Sequence, residues 1–243
     1  MKSVHRRLRH LLLCALAFSP LTVPAQEYGD PDFRGPRYFV GGSIGVSVFA
    51  DNGNSIAGWL NSAYSSTTML ATGDYISSSG SQDRSSVGAR AYGGAWFTPN
   101  IGIEVGFASL GSVGWSVDSS NTTGSFSVSD AGTADAYALY EAVLLGFDNA
   151  GVRYFGKLGV YEAWTDLNAS SFDNNSGGGF SASQTVYNTG AVLGLGVTTM
   201  HGPFSGLRLE VEDYLNVGQS NTAQVPPWRG NIVMLSAGYT FVF

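Results

Sequence analysis

The chain has 243 residues, of which only 12% are charged, and its 18 acidic side chains outweigh 12 Lys and Arg to give a net charge of −6. That balance excludes nucleic-acid binding, which needs grouped cations against phosphate. One cysteine, Cys14, excludes disulfides within the chain and thiolate metal sites.

The N-terminus reads as a secretory signal. Lys2, Arg6, Arg7 and Arg9 form a basic stretch, Leu11 to Phe18 an apolar one, and Val23-Pro24-Ala25 ends in a small residue suited to cleavage. Residues 1–25 are therefore expected to be removed, residues 26–37 to form a short periplasmic tail, and residues 38–243 to form the folded domain. Cleavage takes Cys14 and four of the 12 cations, leaving 8 against 18 acids and a net charge of −10. No later apolar run reaches the ~18 residues that a membrane-spanning helix needs.

From Tyr38 onward the pattern has a period of two. Tyr38, Val40, Gly42, Ile44, Val46 and Val48 share one face, and Phe39, Gly41, Ser43, Gly45 and Ser47 the other. A polar stretch from Ala50 to Ser85 reads as a loop. The next strand, Val87 to Phe97, turns at Thr98-Pro99-Asn100 and returns through Ile101, Ile103, Val105 and Phe107. Gly111 to Thr133 reads as a second loop, followed by strands from Ala134 to Gly146 and from Val152 to Trp164 around the turn Asp148-Asn149-Ala150-Gly151. Thr165 to Gln184 reads as a third loop. Strands from Thr185 to Thr199, from Leu207 to Val217 and through Leu235 to Phe243 complete the series, with Pro226 and Pro227 in the last loop.

Eight antiparallel strands with apolar residues on one face predict an all-β, up-and-down transmembrane barrel with short periplasmic turns and long extracellular loops. A secreted, soluble barrel is the alternative, and it would put the apolar set inside. The strand charges argue against that arrangement. Inward parity collects Arg90, Glu104, Glu141, Arg153, Lys157, Arg208, Glu210 and Glu212. A lumen that eight strands leave is filled by side chains, so these groups are expected to pair as an ion-pair network.

Several stretches resemble the small OmpA-like, opacity-type outer-membrane barrels. They are Val87 to Gly94, Asn100 to Phe107, Leu207 to Val211 and Gly238 to Phe241. The resemblance implies a bacterial outer membrane and a lumenal network that includes Glu104 and Arg208. The ending Leu235, Tyr239, Phe241, Phe243 is similar to the strand that the barrel assembly machinery recognises. OmpA itself carries a peptidoglycan-binding domain after its barrel, and no such role is carried over here. The implied partners are outer-membrane lipid and lipopolysaccharide, the assembly machinery, periplasmic chaperones, and a host or surface ligand at the loops.

Catalytic readings are weak. Past the signal only His201 remains, beside Gly202-Pro203 in a turn, and the G-x-S-x-G match at Gly41 to Gly45 lies inside a strand rather than at a strand-to-helix elbow. Asp173 to Gly177 is rich in oxygen but fails the calcium-loop spacing. The expectation is a protein that is no enzyme, binds no cofactor or metal, and works through its loops. The alternative is a narrow pore for small solutes or ions, gated by the lumenal network.

Overall fold

The computed structural model describes residues 35–50, 54–67, 74–201, 204–219 and 228–243. The expected signal segment and most of the tail lie outside them.

The described residues form nine strands and one helix: β1 Arg37–Phe49, α1 Asn54–Thr67, β2 Ile76–Gln82, β3 Ser85–Trp96, β4 Ile101–Asn121, β5 Ser127–Asn149, β6 Val152–Asp173, β7 Gly179–Met200, β8 Ser205–Gln219 and β9 Trp228–Val242. Eight of the strands form a closed antiparallel ring in the order β1, β3, β4, β5, β6, β7, β8, β9. The ring shuts where the two ends of the domain meet. Tyr38 N–H donates to the Phe243 carbonyl at 3.1 Å, and Phe243 N–H donates back to the Tyr38 carbonyl at 3.0 Å. The closing strand therefore has no free edge at that seam.

β2 stands outside the ring and continues the line of β3 along β4, pairing Ile76 with Asn121 and Gln82 with Trp115. The ring is tall on one side. β4 to β7 have 21, 23, 22 and 22 residues, whereas β1, β3, β8 and β9 have 13, 12, 15 and 15. The stretches expected as loops after Gly111 and Thr165 are largely strand. β4 and β5 are joined by residues 122–126, β6 and β7 by 174–178.

The reason is an exchange of faces along the strands. Between the turns and Ser109, β4 points its bulky residues outward. A bulge between Ser109 and Gly111, with Gly111 at φ +99°, reverses the parity so that Val113, Trp115 and Val117 point inward. Ser112, Ser116 and Ser120 then face out. A strand standing in water needs this inverted pattern.

The short turns lie at the opposite end. Thr98 Oγ1 accepts the Ile101 N–H at 2.9 Å, and Ala150 and Gly151 take φ of 50° and 79° between β5 and β6. Two aromatic belts bound the outer wall on the β5–β6 side. Phe107, Tyr137 and Trp164 cluster toward the tall end with centroids 5.6 to 6.3 Å apart, and Phe147 stacks on Tyr154 at 5.3 Å near the turns. Such belts mark the two faces of a bilayer.

Candidate functional site

The interior is layered. At its centre three cations meet three carboxylates, all of them buried. Arg90 on β3 reaches Glu210 at 2.7 Å and Glu212 at 2.5 Å. Lys157 on β6 touches Glu104 at 2.7 Å, Glu210 at 2.6 Å and Glu212 at 2.5 Å. Arg208 on β8 contacts Glu104 at 2.6 Å and Glu210 at 2.7 Å. The charges cancel, and each ion has at least two partners of opposite sign, which is what burial in a low dielectric demands.

Aromatic rings seat this layer. Tyr140 donates its hydroxyl proton to Glu104 at 2.8 Å and lies under the Lys157 ammonium at 4.7 Å. The Arg208 guanidinium sits 4.4 Å from the ring centres of both Tyr92 and Phe155. Sequence parity named the charges and missed Tyr140, whose place opposite Gly106 depends on the space that a missing side chain leaves. A Cβ at Gly106 would lie 2.5 Å from the Tyr140 hydroxyl.

Six of the eight expected lumenal residues form the network, namely Arg90, Glu104, Lys157, Arg208, Glu210 and Glu212. Two do not. Glu141 points outward, between the two aromatic belts, while its neighbour Tyr140 takes the inward place. On β5 the narrow lumen receives alanines (Ala134, Ala136, Ala138, Ala142), and the bulkier Leu139, Val143, Leu145 and Phe147 go to the outside. Arg153 does point inward, but near the turns, where it pairs with Asp148 at 2.5 Å and lies 4.4 Å from the Trp96 ring. Leu235, Tyr239, Phe241 and Phe243 all line the outer wall of the last strand and its end.

Apolar layers cover the ions on both sides. Toward the turns lie Phe39, Tyr92, Trp96, Leu144, Phe155 and Val242. Toward the tall end lie Tyr214, Ile232, Met234 and the β5 alanines, capped by the buried Ile56, Ala57 and Leu60 of α1. Ile56, Leu60 and Tyr64 fall four residues apart, on one stripe of the helix. Tyr64 donates to Asp130 Oδ2 at 2.8 Å and packs on Phe126 at 5.2 Å. Burial, aided by Asp130, pushes the Tyr64 hydroxyl up to about 12.

At the top of the tall side, Asp74 latches the segment before β2 to the β4–β5 connection. Its carboxylate accepts the Thr122 N–H at 3.0 Å, the Thr122 hydroxyl, the Thr123 hydroxyl at 3.0 Å and the Asn121 amide at 2.8 Å. These donors, the Thr122 hydroxyl first, hold it below the ordinary carboxylate range. Asp173 is lowered in the same way, chiefly by the Ser176 hydroxyl. His201 is exposed at the turn end, and no cluster of three potential metal ligands occurs among the described residues.

The model of the OmpA-like transmembrane domain family matches residues 36–243. Among solved structures, the chain is similar to Ail, the attachment invasion locus protein of Yersinia pestis, at 14% identity over 85% of this chain and 99% of that one, with a TM-score of 0.41. OprG from Pseudomonas aeruginosa gives 16% identity over 86% and 96%, with a TM-score of 0.42. Neisserial surface protein A gives 16% over 86% and 99%, with a TM-score of 0.41. Comparison with curated proteins returned no match.

Proposed function

Because this chain belongs to the OmpA-like transmembrane domain family and lies in the bacterial outer membrane, we propose that it is a non-enzymatic barrel that works through its outer rim. Its turns face the periplasm and its tall side with α1 faces outward, as the family architecture has it. Residues 1–25 export it, and the strand ending in Phe243 is handed by periplasmic chaperones to the assembly machinery.

The observation that carries this reading is the closure of the lumen. A neutral layer of three cations and three carboxylates lies between two apolar layers, and α1 fills the outer one. Ions crossing the lumen would meet an apolar barrier on each side of the charged layer. What remains available to partners is the rim, where a rigid scaffold holds polar connections. Lipopolysaccharide and a host or surface ligand are the partners that this position favours.

The alternative is a narrow pore gated by the same six ions. The two are separated by planar-bilayer recording with the purified barrel, together with cell-surface binding by a variant in which residues 122–126 and 174–178 are each replaced by Gly-Asn. Closed membranes and lost binding support the rim. Steady conductance that disappears when α1 is disulfide-fixed in place would favour the pore.

A further inference from the structure

One edge of β4 carries two separate ladders. The β3–β4 ladder runs from Trp96 opposite Gly102 to Ala89 opposite Ser109 and stops there. The β2–β4 ladder starts at Gln82 opposite Trp115 and ends at Ile76 opposite Asn121. Between them lies the β4 bulge, and single hydrogen bonds replace the rungs. Asp83 N–H donates to the Gly114 carbonyl at 2.9 Å, and Ser112 N–H to the Ser86 hydroxyl at 2.9 Å. The ring does not need the upper ladder. β1 already pairs with β3 as far as Val48 opposite Ser85, and among the described strands β2 pairs with β4 alone.

α1 belongs with β2 rather than with the ring. It packs chiefly on β2 and to a lesser extent on β4. Its 14 residues include Gly58, Asn61 and four serines, and a helix so short is marginal in water unless it lies on something. Ile56, Ala57 and Leu60 of α1 are buried, and so is Ile76 of β2. Apart from those apolar side chains, the ties of the two elements to the rest are polar. The Ser78 and Ser119 hydroxyls share a hydrogen bond at 2.8 Å, as do those of Ser81 and Ser116 at 3.0 Å. Tyr64 reaches Asp130, and Asp74 holds the β4–β5 connection. Elements with few buried apolar contacts and exposed hydrogen bonds open at a lower free energy than the body that carries them.

We propose that α1 and β2 form one lid, which swings off the outer mouth of the lumen as a unit while the eight-stranded ring stays closed, and that Asp74 is its latch. The hinge is Asp83 and Arg84, where the upper ladder has ended and the pairing of β3 with β1 has yet to begin. Opening uncovers Val113, Trp115 and Val117 on the inner face of β4, which share an apolar cluster with Ile56, Ala57 and Leu60. The ion layer below stays in place, because none of its six residues lies on α1 or β2. Such a hinged element has two discrete arrangements, docked and open. The lid is a property of the fold and stands whichever partner the rim takes.

The test is amide hydrogen exchange of the full barrel in lipid nanodiscs, for wild type, for Asp74→Asn, and for the double variant Ser78→Cys with Ser119→Cys. Cys14, the only natural cysteine, lies in the expected signal segment, so the introduced pair forms without competition. In wild type the slowest amides of α1 and of β2 should share one protection factor, at least about tenfold below that of β9. Asp74→Asn should lower both by the same factor and leave β9 unchanged. Asp74 lies beside β2 and binds the β4–β5 connection, so a loss in α1 reports the coupling. Oxidising the cysteine pair should raise protection in α1 at least about tenfold, and reduction should return it to the wild-type value. The proposal is overturned if α1 and β2 differ in wild type or are as protected as β9. It is overturned equally if α1 fails to respond to the latch variant or to the disulfide, or if Asp74→Asn loosens β9 as well.

Discussion

Arg208 on β8 reaches across the lumen to Glu104 on β4, with Nη1 and Oε2 2.6 Å apart and both side chains shut from water. The two strands are not neighbours in the ring, so the contact ties opposite walls together. Glu104 also holds Lys157. Glu104→Gln leaves two buried cations each short of one carboxylate, and breaking a buried pair in this way costs ~3–5 kcal/mol. Arg208 and Lys157 keep Glu210, so the lower end is expected. Urea unfolding from lipid vesicles should show a midpoint well below wild type. An unchanged midpoint would mean that the layer is hydrated and weakly coupled.

The half-buried Tyr64 hydroxyl, raised first by burial and then by Asp130, should set the alkaline limit for docking of α1. The hydroxyl is raised from an ordinary value near 10 to about 12, so the stabilisation it gives is complete below ~10 and is lost as pH rises through 12. Difference absorbance at 295 nm between wild type and Tyr64→Phe should give a midpoint near 12. Asp130→Asn should lower that midpoint without restoring 10, because burial is the larger cause. A midpoint already at 10 in the wild type would show α1 undocked.

The period-two pattern made the ring readable, since lipid on one side and a packed lumen on the other impose opposite demands on alternate residues. It failed where that contrast changes. On β5 the lumen takes alanines, so size rather than polarity separates the faces, and Glu141 falls outside beside the inward Tyr140. Above the belts both sides of the wall change character. Ser116 turns to water and Trp115 to the interior, and a Ser-rich strand then reads as a loop. The α1 stripe of Ile56, Leu60 and Tyr64 was hidden among Ser and Asn because only three residues carry it.

The Asp74 latch should respond to acid. Its carboxylate is depressed by the Thr122 and Thr123 hydroxyls, so its contribution is present above the ordinary carboxylate value near 4 and is lost as pH falls through the lower value of the folded state. Protection of the Thr122 amide, taken against its intrinsic exchange rate at each pH, should be high at pH 6 and should fall in strong acid. Asp74→Asn should be less protected than wild type at pH 6 and alike at the acid end. Equal protection at pH 6 would show that the carboxylate does not hold the connection.

Glu141 and Glu104 lie on adjacent strands at nearly the same level, Glu104 being paired with Ala142, yet they face opposite sides of the wall. They should therefore respond oppositely to the same substitution. Glu104→Leu removes a carboxylate from two buried cations and should destabilise the barrel strongly. Glu141→Leu exchanges an outward carboxylate between the aromatic belts for a side chain that suits lipid. A cation near the midplane costs ~2–4 kcal/mol and a carboxylate less, so the gain should be smaller than that. Urea midpoints in vesicles, compared with wild type, should fall for the first variant and rise or hold for the second. A loss at Glu141→Leu as large as that at Glu104→Leu would return Glu141 to the lumen and reverse the parity assigned to β5.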